Sequence, residues 1–159
     1  MPILSPFTGR VVSLDEVPDP VFAERMLGEG VAVEPWQGIA VAPIRGRLVV
    51  LHSANHAFAV EAESGLKVLV HIGLDTVHLR GEGFERLAQE GESVEAGQPI
   101  VRFDLGRIRA AGYNLLSPIV LPDLPTGYRV QAAEAREVVA GRDPVLYVTV
   151  AQDVGETIA

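Results

Sequence analysis

The sequence contains no cysteine. That absence removes disulfide frameworks, thiol nucleophiles, cysteine-bound zinc and iron–sulfur clusters together. Lysine is almost missing as well: Lys67 stands alone, and the remaining cations are arginines scattered along the chain. Thirteen basic residues against 21 acidic ones give a formal charge of −8. Such a balance argues against nucleic acid or an anionic membrane as a main partner, because both reward clustered cations. No apolar run approaches the ~20 residues that span a bilayer. Residues 1–6 have neither the basic flank nor the long apolar stretch of a secretory signal. The expectation is a soluble cytoplasmic domain with no direct membrane insertion.

What is present favours a packed β protein. With 48% hydrophobic and 21% charged residues, the 159-residue chain suits one globular domain rather than a disordered segment. Val-rich runs, punctuated by 16 Gly and 11 Pro, read as many short antiparallel strands. Strands are predicted over 10–14, 30–34, 39–42, 47–51, 57–61, 66–71, 98–103, 116–121 and 145–150. Helical periodicity is confined to 83–90, where Phe84, Leu87 and Ala88 share a face, and to 105–111, where Leu105, Ile108 and Ala111 do. The expected fold is an all-β antiparallel sandwich or barrel with one or two short helices.

An internal echo supports duplication. Residues 5–14 match residues 42–51 at Pro, Gly, Arg, Val and Leu with an offset of 37. Each copy is a Pro-led turn feeding a strand, with a Gly placed where a positive φ is expected. The polar, pattern-free residues 152–159 read as a tail or the start of a linker, leaving 1–151 as the domain.

Without thiols, the chemistry falls to carboxylates and to His52, His56, His71 and His78. Two strand-like runs, 55–61 and 66–73, flank a Glu-Ser-Gly turn. A turn centred between Glu63 and Ser64 pairs residues whose numbers sum to 127 and sets His56 opposite His71, on one face. A slip of one residue, as a Gly65 bulge would give, sends the two to opposite faces. Facing imidazoles suit phosphoryl transfer. A neutral ring nitrogen is a nucleophile near pH 7, and a second ring can donate to the phosphoryl oxygens. Apolar Leu69, Val70 and Ile72 exclude water, and Asp75 is placed to orient a ring or tune its basicity.

The run from Gly65 to Val77, with His71-Ile72-Gly73 at its heart, resembles the signature around the phosphorylated histidine of the glucose-type IIA proteins of the bacterial sugar phosphotransferase system. Asn55-His56-Ala57-Phe58 resembles that family's second active-site histidine, and residues 17–24, 81–84 and 91–97 fit further segments. The likeness runs from about Ser5 to Val150. It implies a β-sandwich with a duplicated motif. By it, His71 takes phosphate from the phosphocarrier protein HPr and passes it to the cysteine of a IIB domain, while His56 assists. It further implies that Val21, Phe22 and Leu69 form an apolar docking rim, and that the sugar is chosen by a IIC transporter rather than by this domain. No cofactor is required on this reading, although His56 and His71 together could hold a zinc ion opportunistically.

Departures from the family pattern stand beside the likeness. Relatives often carry Thr two residues before the assisting histidine, where this chain has Ala54, and an apolar residue where this chain has His52. The main rival reading is a zinc-dependent hydrolase using His52, His56, His71 and Asp75. A second is a regulatory binding module acting on transporters or enzymes. A biotin or lipoyl carrier is excluded at 91–97, because the one lysine lies on another strand.

Overall fold

The computed structural model describes residues 1–150; the segment 152–159, expected as a tail or linker, lies outside them. Among the described residues the chain forms β1 (Pro2–Leu4), β2 (Gly9–Ser13), α1 (Pro20–Ala23), β3 (Glu29–Pro35), β4 (Ile39–Val41), β5 (Gly46–Leu51), β6 (Ala57–Glu61), β7 (Lys67–His71), β8 (Phe84–Arg86), β9 (Ser93–Val94), β10 (Pro99–Phe103), α2 (Leu105–Ala110), β11 (Ser117–Leu121), β12 (Tyr128–Ala132), β13 (Glu137–Val138) and β14 (Pro144–Val150). Every pairing is antiparallel. The large sheet runs β13-β2-β3-β11-β7-β6-β5-β9, and two three-stranded sheets, β1-β14-β12 and β4-β10-β8, complete the sandwich.

The sequence echo is a structural repeat. Strand β2 lies between β13 and β3, and β5 lies between β9 and β6. The two turn entries grip each other reciprocally. Leu4 N–H donates to the Pro43 carbonyl at 3.0 Å, and Val41 N–H donates to the Pro6 carbonyl at 2.9 Å, which are the same bond viewed from the two halves. Gly9 and Gly46 open the repeated strands, but neither has a positive φ. Their glycines answer to close approach instead. A Cβ at Gly9 would collide with the Glu34 carbonyl oxygen, and one at Gly46 with the Glu61 carbonyl oxygen.

All nine predicted strands form, and α2 occupies the second predicted helical stretch, with Asp104 capping it by accepting from Arg107 N–H at 3.0 Å. The stretch 83–90 is not helical. Residues 84–86 pair with β10, setting Phe84 opposite Phe103, and Leu87 N–H donates to Ile100. Gly81 and Gly83, with φ of 89° and 87°, break the chain ahead of that strand. Ladder bonds to β10 outweigh a weak helical stripe there.

The main core lies between the sheets around Phe7, Phe58, Ile72 and Ile119. A second, smaller core covers the opposite face of the large sheet, where Leu14, Val17 and Phe22 settle on Ala32, Leu74 and Val120. Strand β11 is consequently buried at every position, with Ile119 in one core and Val120 in the other. The sequence Asp19-Pro20-Val21-Phe22 builds the cover. Asp19 Oδ1 accepts from Val21 N–H at 3.0 Å, Pro20 occupies the first helical turn, and Phe22 is turned down onto the sheet.

Candidate active site

His71 is the last residue of β7, and His56 is the residue immediately before β6. The ladder pairs Ala57 with His71 and Glu61 with Lys67, so paired numbers sum to 128, not 127. The hairpin closes where Ala62 N–H donates to Leu66 and Gly65 N–H to Ala62, with Gly65 at φ 93°. The bulged three-residue loop is therefore the one that forms, and His56 is not the cross-strand partner of His71. The rings meet nonetheless. His56 lies outside the strand, beyond a left-handed Asn55 (φ 62°), so the in–out alternation of β6 does not govern it. Its carbonyl accepts from Ile72 N–H at 2.7 Å, fastening it to the end of β7. The His56 and His71 ring centroids are 4.9 Å apart at an interplanar angle of 80°.

The half-buried ring of His71 is held by the chain that follows it. Its Nδ1 lies 2.6 Å from the carbonyl oxygen of Gly73. A carbonyl only accepts, so Nδ1 carries the proton and Nε2 presents a lone pair. Gly73 is itself anchored, its N–H donating to the buried Ser117 Oγ at 3.0 Å, while Leu74 N–H donates to the Asn114 carbonyl at 2.9 Å. Phe22 packs edge-on to His71 at 5.3 Å. Burial lowers the His71 pKa, against the opposing pull of the Gly73 carbonyl and the charges of Asp19 and Asp75. The His71 ring is thus neutral at pH 7.

His56 is buried, and among the described residues its Nδ1 has no hydrogen-bond partner. Burial, with the neighbouring His71 and His52, lowers its pKa to about 4. The hydroxyl that the family pattern often places two residues earlier is absent at Ala54, and no other group among the described residues replaces it at Nδ1. His52 belongs to the same cluster: its ring is 4.4 Å from that of His56. A turn of residues 52–55 brings it there, with His52 N–H donating to Ala57 and Ala54 N–H donating to His52 Nδ1 at 3.0 Å.

Other expected residues fall differently. Asp75 is exposed at the start of a 3-10 turn with φ 60° and makes no side-chain capping bond; the Gly73 carbonyl holds the His71 ring, and the charge of Asp75 raises its pKa. Val21 is 37% exposed and Leu69 is half-buried, but Phe22 is only 4% exposed. Phe22 thus packs behind the histidine instead of standing on a rim. His78 is exposed at the end of that 3-10 turn. Among the described residues no group of three or more His, Asp or Glu side chains is placed to hold a metal ion, so the ligand set of the hydrolase reading is not assembled. Three features escaped the sequence reading. These are helix α1, signalled by Asp19-Pro20; the carbonyl of Gly73; and the His52 contact, which depends on the left-handed Asn55.

An antiparallel β-sandwich with two apposed imidazoles at the ends of two interior strands defines an all-β histidine site, and comparison with known proteins gives its family. The sequence profile of the phosphoenolpyruvate-dependent sugar phosphotransferase system, EIIA 1, matches residues 1–125. The chain is 40% identical over 148 residues to the PTS system glucose-specific EIIA component of Staphylococcus epidermidis, covering 93% of this chain and 89% of that protein. It is 43% identical over 143 residues to the PTS system N-acetylglucosamine-specific EIICBA component of Escherichia coli, covering 90% of this chain and 22% of that longer protein. The solved structure of glucose permease IIA from Mycoplasma capricolum superposes with a TM-score of 0.86 at 37% identity, over 92% of this chain and 94% of that one. The chain belongs to the EIIA 1 family of the sugar phosphotransferase system. Among the described residues no helix is long and apolar enough to cross a membrane.

Proposed function

We propose that this chain, as one domain over residues 1–151, is a cytoplasmic phosphoryl carrier that shuttles phosphate between HPr and a IIB domain during sugar uptake. The observation that carries the reading is the His71 ring. Its Nδ1 is committed to the Gly73 carbonyl, its Nε2 is free, and a second imidazole lies 4.9 Å away. In the first transfer the Nε2 lone pair attacks the phosphorus of a phosphohistidine on HPr. The new N–P bond forms as the donor's N–P bond breaks, and the donor ring leaves with the electron pair. His56 donates from Nε2 to the phosphoryl oxygens as charge spreads over them. In the second transfer a IIB thiolate attacks the same phosphorus, and His71 leaves as a neutral imidazole. With no cysteine in the chain the carried phosphate is not on sulfur, and this reading puts it on His71 Nε2. The EIICBA name of the Escherichia coli relative supports a IIB acceptor.

The reaction needs neither cofactor nor metal. A zinc ion between His56 and His71 would need ligands from a partner. Val21 and Leu69 supply apolar surface beside the site for docking, and the −8 charge favours a basic face on HPr. Incubation with phosphoenolpyruvate, enzyme I and HPr should place an acid-labile phosphate on His71. Label that persists in His71→Gln overturns the assignment. His56→Gln should load but pass phosphate on slowly.

A further inference from the structure

Phosphotransfer as described assigns steps to His71 and His56 and leaves the third histidine of the cluster idle. His52 is exposed, yet it is tied at both backbone and ring. Its N–H donates to the Ala57 carbonyl at 2.9 Å, and its Nδ1 accepts from Ala54 N–H at 3.0 Å. So fastened, the ring lies over the buried His56 at 4.4 Å and 65°. On the far side His71 packs against His56 at 4.9 Å. Between them His56 has a buried Nδ1 with no partner among the described residues, so packing, not a hydrogen bond at Nδ1, fixes its orientation. A buried N–H left without an acceptor is a costly orphan, which places the proton of neutral His56 on Nε2. Water admitted to Nδ1 would remove that preference.

Resting on the phosphotransfer reading above, we propose that His52 is a positioning residue, whose ring, held in place through its backbone, covers His56, excludes water from its Nδ1 and keeps its Nε2–H directed at the phosphoryl group on His71. The Ala54 side chain offers no hydroxyl for this task, and the covering ring does it instead. His52 touches neither phosphate nor nucleophile; it acts through His56.

Long-range proton–nitrogen NMR of the full chain reads the His56 tautomer, and transfer from phosphorylated chain to a IIB domain reads the consequence. The wild-type chain should show His56 protonated at Nε2. In His52→Ala the signal should move toward a mixture of tautomers, with onward transfer slowed roughly tenfold while His71 still loads. His52→Phe, which keeps a covering ring without its nitrogens, should restore both. Amide spectra of the variants separate loss of fold from loss of orientation. A His52→Ala chain with an unchanged tautomer and a transfer rate within about twofold of wild type overturns the proposal. A His52→Phe chain as impaired as His52→Ala does so too, since ring nitrogens and not cover would then matter. If the wild-type chain takes no phosphate at all, the functional reading fails, while the tautomer measurement still decides whether His52 orients His56.

Discussion

The Nδ1 atom of His71 and the carbonyl oxygen of Gly73 stand 2.6 Å apart, a contact made within three residues of one chain. It holds the proton on Nδ1 and leaves the Nε2 lone pair for the proposed transfer, and it depends on a backbone that L-residues resist. Gly73 has φ 71°, and a Cβ there would come within 2.8 Å of Thr76 Cγ2 and 3.0 Å of the Asn114 carbonyl oxygen. Gly73→Ala should therefore cost about 1–2 kcal/mol and pull the carbonyl from the ring. Thermal unfolding and the initial rate of His71 phosphorylation measure the two effects. A destabilised variant that is phosphorylated at the wild-type rate would detach the carbonyl from the selection of Nε2.

Acid should destabilise this fold through its histidines before its carboxylates respond. His56 falls from 6.5 to about 4 on folding, and burial lowers His71 as well. Between those values the unfolded chain binds more protons than the folded one, so stability rises with pH across that window. The contribution is whole above about pH 6.5, where unfolded histidine is neutral, and is lost progressively toward about pH 4. With allowance for water at the open edge of the site, His56 contributes about 2 kcal/mol. Urea midpoints should drop from neutral pH to about pH 5, and His56→Phe should flatten the dependence. An equally steep profile in that variant would place the titration elsewhere.

Packing and the proposed docking are expected to separate at neighbouring positions of α1. Phe22 is buried at 4% exposure against His71, whereas Val21 is 37% exposed. Phe22→Ala should cost about 3 kcal/mol by opening a cavity in the second core. Val21→Lys should leave stability within about 0.5 kcal/mol and slow transfer to or from partners by charging the apolar surface. Denaturant unfolding and transfer kinetics on both variants distinguish the roles. Slow transfer in Phe22→Ala at undiminished stability would return Phe22 to the interface.

The sheets were legible because Val-rich runs bounded by Gly and Pro carry their own boundaries, and β5, β6 and β10 begin and end within a residue or so of the expected limits. Other features had no local signal strong enough to decide them. Loops centred at 63.5 or at 64 suit the same Glu-Ser-Gly composition, and only the bonds made by Ala62 and Gly65 choose between them. Strand β8 is three residues long and is made by β10, not by its own pattern. At the site, two histidines were legible as a spaced pair, but their meeting was expected for the wrong reason. It arises from the left-handed Asn55 that ends the alternation ahead of β6, and the same turn gathers His52.

That cluster makes positions 52 and 54 interdependent. Ala54 is buried two residues before His56, whose Nδ1 lacks a partner among the described residues. The family pattern often has threonine there, and a hydroxyl at that place would donate to Nδ1 and fix the proton on Nε2 chemically. In the wild-type chain Ala54→Thr should change little in transfer rate, because the His52 ring already holds His56; its stability balances about 1 kcal/mol from a new bond against the strain of added atoms. In a His52→Ala background the same substitution should recover most of the lost transfer and return the His56 tautomer to Nε2–H. The two substitutions are therefore non-additive, and a double-mutant cycle read by transfer rate and by NMR measures the coupling. Equal losses from His52→Ala with and without Ala54→Thr would mean that the two positions do not serve the same ring.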